Sequence, residues 1–257
     1  MGKAITDNTP AFKDGKYYFN FDGVTPQYLG EDITVTLKAM HLDSSSVDTI
    51  ATNTYSIRSY CEEVLALSST DAKLKTLLVD FLNYGAAAQQ YVNYNTEDLA
   101  NKNIDAYQSF ASNYDALTPP TSVLQGANGN GVKLKGAYLL LDTDVDLVVE
   151  LEIEEAVKNG LRVEFVVGGV TTTVASADFA ATGVANRYSV KLNGITPTMY
   201  DGTIQILVKD ASNKTVAYAN YSVNSHIANR LNKAGDLEVA LLKALYCYGV
   251  SAKNYVG

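Results

Sequence analysis

Tryptophan is absent from this chain of 257 residues, and the sequence has only two cysteines and two histidines. These shortages exclude most zinc sites and most Cys/His or Ser/His/Asp catalytic groups, which need several such side chains. Basic residues are also in the minority, 20 Lys and Arg against 28 Asp and Glu. The resulting acidic surface argues against a nucleic-acid partner. No apolar run approaches the roughly 20 residues of a membrane-spanning helix, so we expect no membrane insertion.

What the sequence does contain is an internal repeat. Four short blocks recur in the same order, at offsets of 171, 171, 166 and 164 residues: 22–26 with 193–197, 33–38 with 204–209, 55–59 with 221–225, and 84–88 with 248–252. Ordered blocks at a nearly constant offset predict two tandem copies of one module.

The two copies have unequal lengths, because the first has no room for the strand-rich sequence that precedes the shared turn in the second. We therefore expect residues 1–104 to form a first module with short strands, a helical hairpin and an incomplete sandwich. Residues 105–121 are predicted to be a linker, since Pro119 and Pro120 favour extended backbone. Residues 122–257 are predicted to form the second module.

Strands and helices are predicted from the spacing of apolar residues. Leu147, Val149 and Leu151 alternate with other residues at the period of a strand. About seven such short runs lie within roughly 90 residues, a spacing typical of an immunoglobulin-like sandwich. After residue 222 the period changes to that of two amphipathic helices. The predicted fold class is α+β and mostly β: an immunoglobulin-like β-sandwich with an appended α-helical hairpin, in two tandem copies, the first truncated at its N-terminus.

Several of these stretches resemble a repeat module of large secreted and surface-attached proteins of anaerobic, gut-type gram-positive bacteria. The likeness lies in YSIRSY at 55–60, LNYGAAAQ at 82–89, and the segments 136–141, 146–151 and 198–204. The resemblance implies an extracellular or cell-surface-attached, non-catalytic part that contacts neighbouring domains of a larger chain. It supplies no catalytic residues, and we expect that this protein is not an enzyme.

One acidic motif suggests a metal. Asp142, Asp144 and Asp146 form D-x-D-x-D, the opening of a calcium loop. Leu147 stands where that loop has its turn glycine, and Ile153 stands where it has its closing glutamate. The alternatives are calcium, the one cofactor that the sequence suggests, and an acidic turn between two strands.

The cysteines and histidines fit structural roles. Cys61 and Cys247 have no cysteine at the equivalent positions of the other copy, so we predict two buried free thiols. The alternative is a Cys61–Cys247 disulfide, which would require the two helical hairpins to touch. His41 and His226 lie in no nucleophile motif. The remaining enzymatic alternative is a glycoside hydrolase that uses two carboxylates.

The 18 tyrosines give the last functional indication, because aromatic rings can stack on sugars. Helical spacing predicts core positions for Tyr84, Tyr91, Tyr248 and Tyr255. Exposure is predicted for the tyrosines in strands, turns and the linker: Tyr17, Tyr18, Tyr28, Tyr94, Tyr107, Tyr114 and Tyr200. Of these, Tyr28, Tyr94 and Tyr200 are the candidate ligand-binding residues. The expected function is contact with a polysaccharide or another extracellular protein, or the spacing of neighbouring domains. The alternative is a carbohydrate-binding module for a plant or starch polysaccharide.

Overall fold

The computed structural model describes residues 11–18, 21, 23–41, 46–117, 126–141 and 144–257. Within these ranges the chain combines helices with antiparallel sheets, so the predicted mixture of α and β elements is confirmed. No helix in these ranges is long and apolar enough to cross a bilayer.

In the described ranges, the first part of the chain has four strands followed by two helices. Their bounds are β1 Ala11–Lys13, β2 Lys16–Tyr18, β3 Ile33–Met40, β4 Val47–Tyr55, α1 Ile57–Ala66 and α2 Ala72–Tyr91. Three 3-10 turns accompany them in the described ranges, at Pro26–Tyr28, Asp105–Phe110 and Tyr114–Ala116.

The second part contains most of the strands. Its elements are β5 Gly126–Ala127, β6 Val132–Leu141, β7 Val145–Ile153, α3 Glu155–Lys158, β8 Arg162–Val167, β9 Val170–Ala175, β10 Ala180–Ala181, β11 Arg187–Ile195, β12 Ile204–Lys209, β13 Thr215–Tyr221, α4 Val223–Leu231 and α5 Asp236–Val256. Further 3-10 turns lie at Ser176–Asp178 and Pro197–Met199.

Two antiparallel sheets of the second part share one apolar core. Their strand orders are β10-β11-β7-β6 and β5-β13-β12-β8-β9. Leu147 and Leu151 of the first sheet belong to the same buried cluster as Phe165 and Ile206 of the second. Alternation places these side chains on one face of each strand, so the arrangement is compatible with a β-sandwich.

The strands β3 and β4 form a two-stranded sheet by themselves. Every residue of β4 is exposed. Three apolar side chains on this hairpin have more than half of their surface exposed: Val35 58%, Leu37 51% and Ile50 59%. In the described part of the chain, no second layer covers these side chains.

Both helical hairpins begin at a serine cap. The Ser56 hydroxyl accepts a hydrogen bond from the Ser59 amide at the start of α1. Ser222 does the same for the Ser225 amide at the start of α4, where Ser225 also accepts from the Ser222 amide. Ser222 caps α4 because its extended backbone directs the hydroxyl at the free amides.

The long helices α2 and α5 pack against each other and join the two parts. The rings of Tyr84 and Tyr248 are stacked, with centroids 5.7 Å apart, and Phe81 lies 5.1 Å from Tyr248. Tyr84 and Ala88 belong to the core of the two sheets, whereas Leu78 and Leu82 of the same helix belong to a second core. One helix therefore contributes to both cores.

The predicted linker is packed where the structure describes it, over residues 105–117. Ser112 donates to the buried Asp80 carboxylate from its amide (2.9 Å) and its hydroxyl (2.6 Å). Tyr114 meets Tyr246 of α5 edge to face at 5.5 Å. Extended backbone was predicted from Pro119 and Pro120, which lie outside the described residues. The boundaries at 104 and 121 stay a prediction.

Candidate binding surfaces

A cleft of about 230 Å³ lies between the first and second parts of the chain. Its walls come from the turn Pro26–Tyr28, α2, β6, α4 and α5. Most of the lining is aliphatic: Ala88, Val92, Leu139, Leu140, Leu141, Leu241, Leu242 and Leu245. Such a lining suits an apolar group of a ligand or partner.

The polar edge of this cleft is formed by His226 and Glu238. The His226 Nδ1 lies 2.6 Å from the Tyr221 hydroxyl. Burial and then the Arg230 charge lower the pKa of His226 to about 4, so the imidazole is neutral at pH 7. Glu238 accepts two hydrogen bonds from Arg230, at 2.8 and 2.9 Å.

These groups are arranged for binding more than for covalent chemistry. The hydroxyl beside the imidazole belongs to Tyr221, whose pKa burial raises well above its ordinary value. A neutral imidazole next to such a phenol does not form an activated nucleophile. The cleft can therefore bind an apolar group and offer one imidazole nitrogen at its edge.

Two of the three candidate tyrosines lie together. Tyr28 follows the cleft-lining Gln27, and its ring meets that of Tyr94 edge to face, 4.8 Å apart at 90°. Tyr28 is 41% exposed. Tyr94 is half-buried although its exposure was predicted, and burial, followed by a hydrogen bond to Glu31, raises its pKa. Perpendicular rings present one aromatic plane and one edge, so the pair does not form a flat platform.

The third candidate, Tyr200, is buried, and its predicted exposure is wrong. Its exposed fraction is 3%, and burial raises its pKa strongly. The ring packs against α5 at Gly249, where a Cβ atom would lie 2.5 Å from the Tyr200 Cδ2. The repeat contained a signal for this position, because its equivalent Leu29 is aliphatic and is also buried.

The other tyrosines divide between surface and core. Tyr18 is exposed as predicted, whereas Tyr107 and Tyr114 are half-buried against the cores. The side chain of Tyr17 lies outside the described residues. The predicted core positions are confirmed for Tyr84 and Tyr248, which pack in or against the core. They are wrong for Tyr91 and Tyr255, which lie near the ends of α2 and α5 and are exposed.

The calcium motif lies only in part within the described residues, so calcium binding stays a prediction. Asp146 accepts hydrogen bonds from the Lys191 ammonium (3.0 Å) and the Gly194 amide (2.9 Å). Asp144 is exposed, and Asp142 lies outside the described residues. Among the residues that the structure describes, no group of three His, Cys, Asp or Glu side chains could hold a metal ion. In these contacts Asp146 holds the β7 and β11 ends together.

Both thiols are free and buried, as predicted. Burial raises the pKa of Cys61 and of Cys247 to about 12, so both are protonated at pH 7. A protonated, buried thiol is a poor nucleophile and a poor metal ligand.

No family model matches this chain. No curated protein and no solved structure is significantly similar to it either. Its function is therefore inferred from its own surfaces.

The surface that the sequence pattern missed is the face of β3 and β4. The alternation of 33–38 predicts a strand with one buried side, yet Val35 and Leu37 are exposed. Strand pairing within the hairpin is complete from Ile33–Tyr55 to Met40–Val47, so what is missing is a layer over the face.

Proposed function

We propose that this chain is a non-catalytic module of an extracellular bacterial protein, built from two tandem immunoglobulin-like units with helical hairpins. Its role is to hold neighbouring domains in a fixed orientation and to contact a partner protein. The packing of α2 on α5, with Tyr84 stacked on Tyr248, is the observation on which the proposal rests.

The tandem units are supported by matching strand register. Ile33 pairs with Tyr55 in the first unit, and the equivalent Ile204 pairs with Tyr221 in the second. A register shift follows Leu37 in β3 and Val208 in β12, which are equivalent positions. Irregularities of this kind are specific features of a fold, so their coincidence favours a common unit.

The junctions between strand and helix also match. The Arg58 amide donates to the Leu29 carbonyl at 2.8 Å, and the equivalent Asn224 amide donates to the Tyr200 carbonyl at 3.0 Å. Gly85 meets Leu29 as closely as Gly249 meets Tyr200. In each unit, the long helix thus packs against the residue that follows the 3-10 turn, Leu29 or Tyr200.

A fixed orientation follows from how the units meet. Tyr84 and Tyr248 are repeat equivalents in contact with each other, as expected at an approximate two-fold axis. The buried Asp80 carboxylate of α2 accepts two hydrogen bonds from Ser112, and the Cys247 thiol of α5 donates to the Ser112 carbonyl. An interface with stacked rings and a satisfied buried carboxylate resists hinge motion more than a flexible linker would.

Spin-label distances test the fixed orientation. Lys73→Cys in α2 and Thr172→Cys in β9 place labels on exposed positions of the two units, while the native thiols stay buried. A single narrow distance distribution is expected. The matched control adds Tyr84→Ala and Tyr248→Ala, which should broaden it. A broad distribution in the labelled chain that keeps Tyr84 and Tyr248 would contradict the proposal.

A carbohydrate-binding module is the second candidate, favoured by the exposed Tyr28 beside the half-buried Tyr94. Affinity electrophoresis through gels of starch, xylan, xyloglucan, β-glucan, mannan or pectin tests it. Retardation that Tyr28→Ala removes, but Tyr18→Ala does not, would support glycan binding. Release of sugar from any gel polysaccharide would instead favour the carboxylate hydrolase and refute the non-catalytic proposal.

A further inference from the structure

We propose that the β3–β4 hairpin is the acceptor for an extended strand of a partner polypeptide, which pairs antiparallel with β3 as β8 pairs with β12. The inference rests on the tandem-unit part of the proposed function. It identifies the partner's chemistry as a strand with alternating apolar side chains and a carboxylate.

The free face of the hairpin corresponds to a buried face of the second unit. Val35 and Leu37 are equivalent to Ile206 and Val208, which lie in the core with no exposed surface. The same residue types that stabilise one unit by burial are thus exposed to solvent in the other. An exposed strand pair of this kind is a template for pairing with another chain.

The second unit also indicates which edge receives the strand. β12 lies between β13 and β8, with Ile206 opposite Phe165 and Val208 opposite Val163. β3 pairs with β4 alone among the described strands. The edge of β3 turned away from β4 therefore occupies the place that β8 fills on β12.

Charge adds a second requirement for the partner. The Glu164 carboxylate of β8 lies 2.7 Å from the Lys209 ammonium of β12. Lys38 occupies the place of Lys209 in β3 and is exposed. A partner strand with an acidic residue between two apolar ones would pair with Lys38 while its apolar side chains lie beside Val35 and Leu37 on the same face of the sheet.

The first probe is a labelled peptide with the β8 sequence, GLRVEFVVGG from 160–169, titrated into the intact chain and followed by fluorescence anisotropy. Saturable binding is expected, together with slower amide exchange in β3. The double variant Val35→Lys/Leu37→Lys should weaken binding at least ~10-fold, because two ammonium groups would lie beside the apolar side chains of the bound peptide and lose part of their hydration. Val170→Lys is the matched control, since Val170 is an exposed apolar residue on a strand of the other unit.

A charge exchange tests the register. A peptide carrying Lys in place of Glu164 should bind the unaltered chain several-fold more weakly and should regain affinity for the Lys38→Glu chain. A peptide with Pro in place of Phe165 should not bind, because proline interrupts strand pairing.

Three results would overturn the inference: no saturable binding, equal binding to the Val35→Lys/Leu37→Lys chain, or charge-independent affinity. A concentration-dependent dimer that the same double variant abolishes, seen by sedimentation, would assign the surface to a second copy and also overturn it. The spin-label distance between α2 and β9 measures the packing of the two units and does not depend on the β3–β4 hairpin. Failed peptide binding with a narrow distance would thus leave the proposed function standing, whereas a broad distance would count against that function alone.

Discussion

Gly249 marks the closest approach between α5 and the turn that precedes β12. A Cβ atom there would lie 2.5 Å from the Tyr200 ring, well inside van der Waals contact. Gly→Ala in an ordinary helix interior stabilises by about 1 kcal/mol. Forcing extra volume into a packed core costs roughly 1–3 kcal/mol. This cost offsets the gain in helix propensity, so the added methyl group should destabilise the fold.

We predict that Gly249→Ala lowers the free energy of unfolding by up to about 2 kcal/mol. Urea denaturation measures the change. Gly136→Ala is the control, because a Cβ there has no atom within 4 Å. Unchanged or increased stability of Gly249→Ala would show that the Tyr200 ring moves aside without cost.

His226 should make stability depend on pH. Its pKa is lowered from 6.5 in the unfolded chain to about 4 in the folded one, by burial and by Arg230, against the opposing charge of Glu238. Below pH 6.5 the unfolded chain takes up the proton first. The stabilising contribution of the neutral imidazole is therefore complete above pH 6.5 and is lost as the pH falls toward 4.

The expected loss from this group is up to about 3 kcal/mol between pH 7 and pH 4. His226→Gln should remove that part of the pH dependence, measured as the free energy of unfolding at several pH values. His41→Gln provides the comparison, because His41 is exposed. Equal slopes for the His226→Gln and unaltered chains would contradict the prediction.

At the scale of elements, the stretch 105–117 is attached to α2 through Gln108, which exchanges two hydrogen bonds with Asn83, and through Ser112. The Ser112 hydroxyl lies 2.6 Å from the Asp80 carboxylate, a group that is 1% exposed. Removing a hydrogen bond to a buried charged group costs about 1.5–3 kcal/mol.

Ser112→Ala should therefore destabilise the chain by about 1.5–3 kcal/mol and accelerate proteolysis between residues 105 and 117. Ser69→Ala removes an exposed hydroxyl and should change neither quantity. If the Ser112 and Ser69 variants are cleaved at the same rate, Asp80 does not anchor this stretch.

The elements themselves were largely predictable. The alternation of β7 and the two amphipathic helices after residue 222 depend on residues close together in the chain, and each is present as predicted. Positions that depend on distant partners were not predictable in this way. Tyr200 and Tyr114 occur in turn-like sequence, yet their rings find α5 as a partner more than 30 residues away.

At the scale of the whole molecule, part of the stabilisation of α2 comes from the second part of the chain. Tyr84, Ala87 and Ala88 belong to the core that the two sheets form. A chain ending after Pro120 would expose that face of α2. We predict that this truncated chain lacks a cooperative thermal transition, whereas the full chain unfolds in one step, as calorimetry can measure.

A cooperative transition in the truncated chain would show that Leu29, Leu65, Leu82 and Ile104 form a sufficient core by themselves. The full chain should retain its transition when Val35→Lys is introduced, because that side chain is already exposed. This control separates loss of the shared core from changes on the hairpin.

The sequence alone determined the repeat, the order of strands and helices, the helix caps and the scarcity of catalytic side chains, since these follow from local spacing and composition. Only the tertiary structure decided which tyrosines are exposed, how 105–117 packs, and that α2 and α5 meet at equivalent residues. It also decided that the face of β3 stays uncovered although its pattern matches that of a core strand. Burial depends on which elements meet in space, and that information is not contained in the period of a single strand.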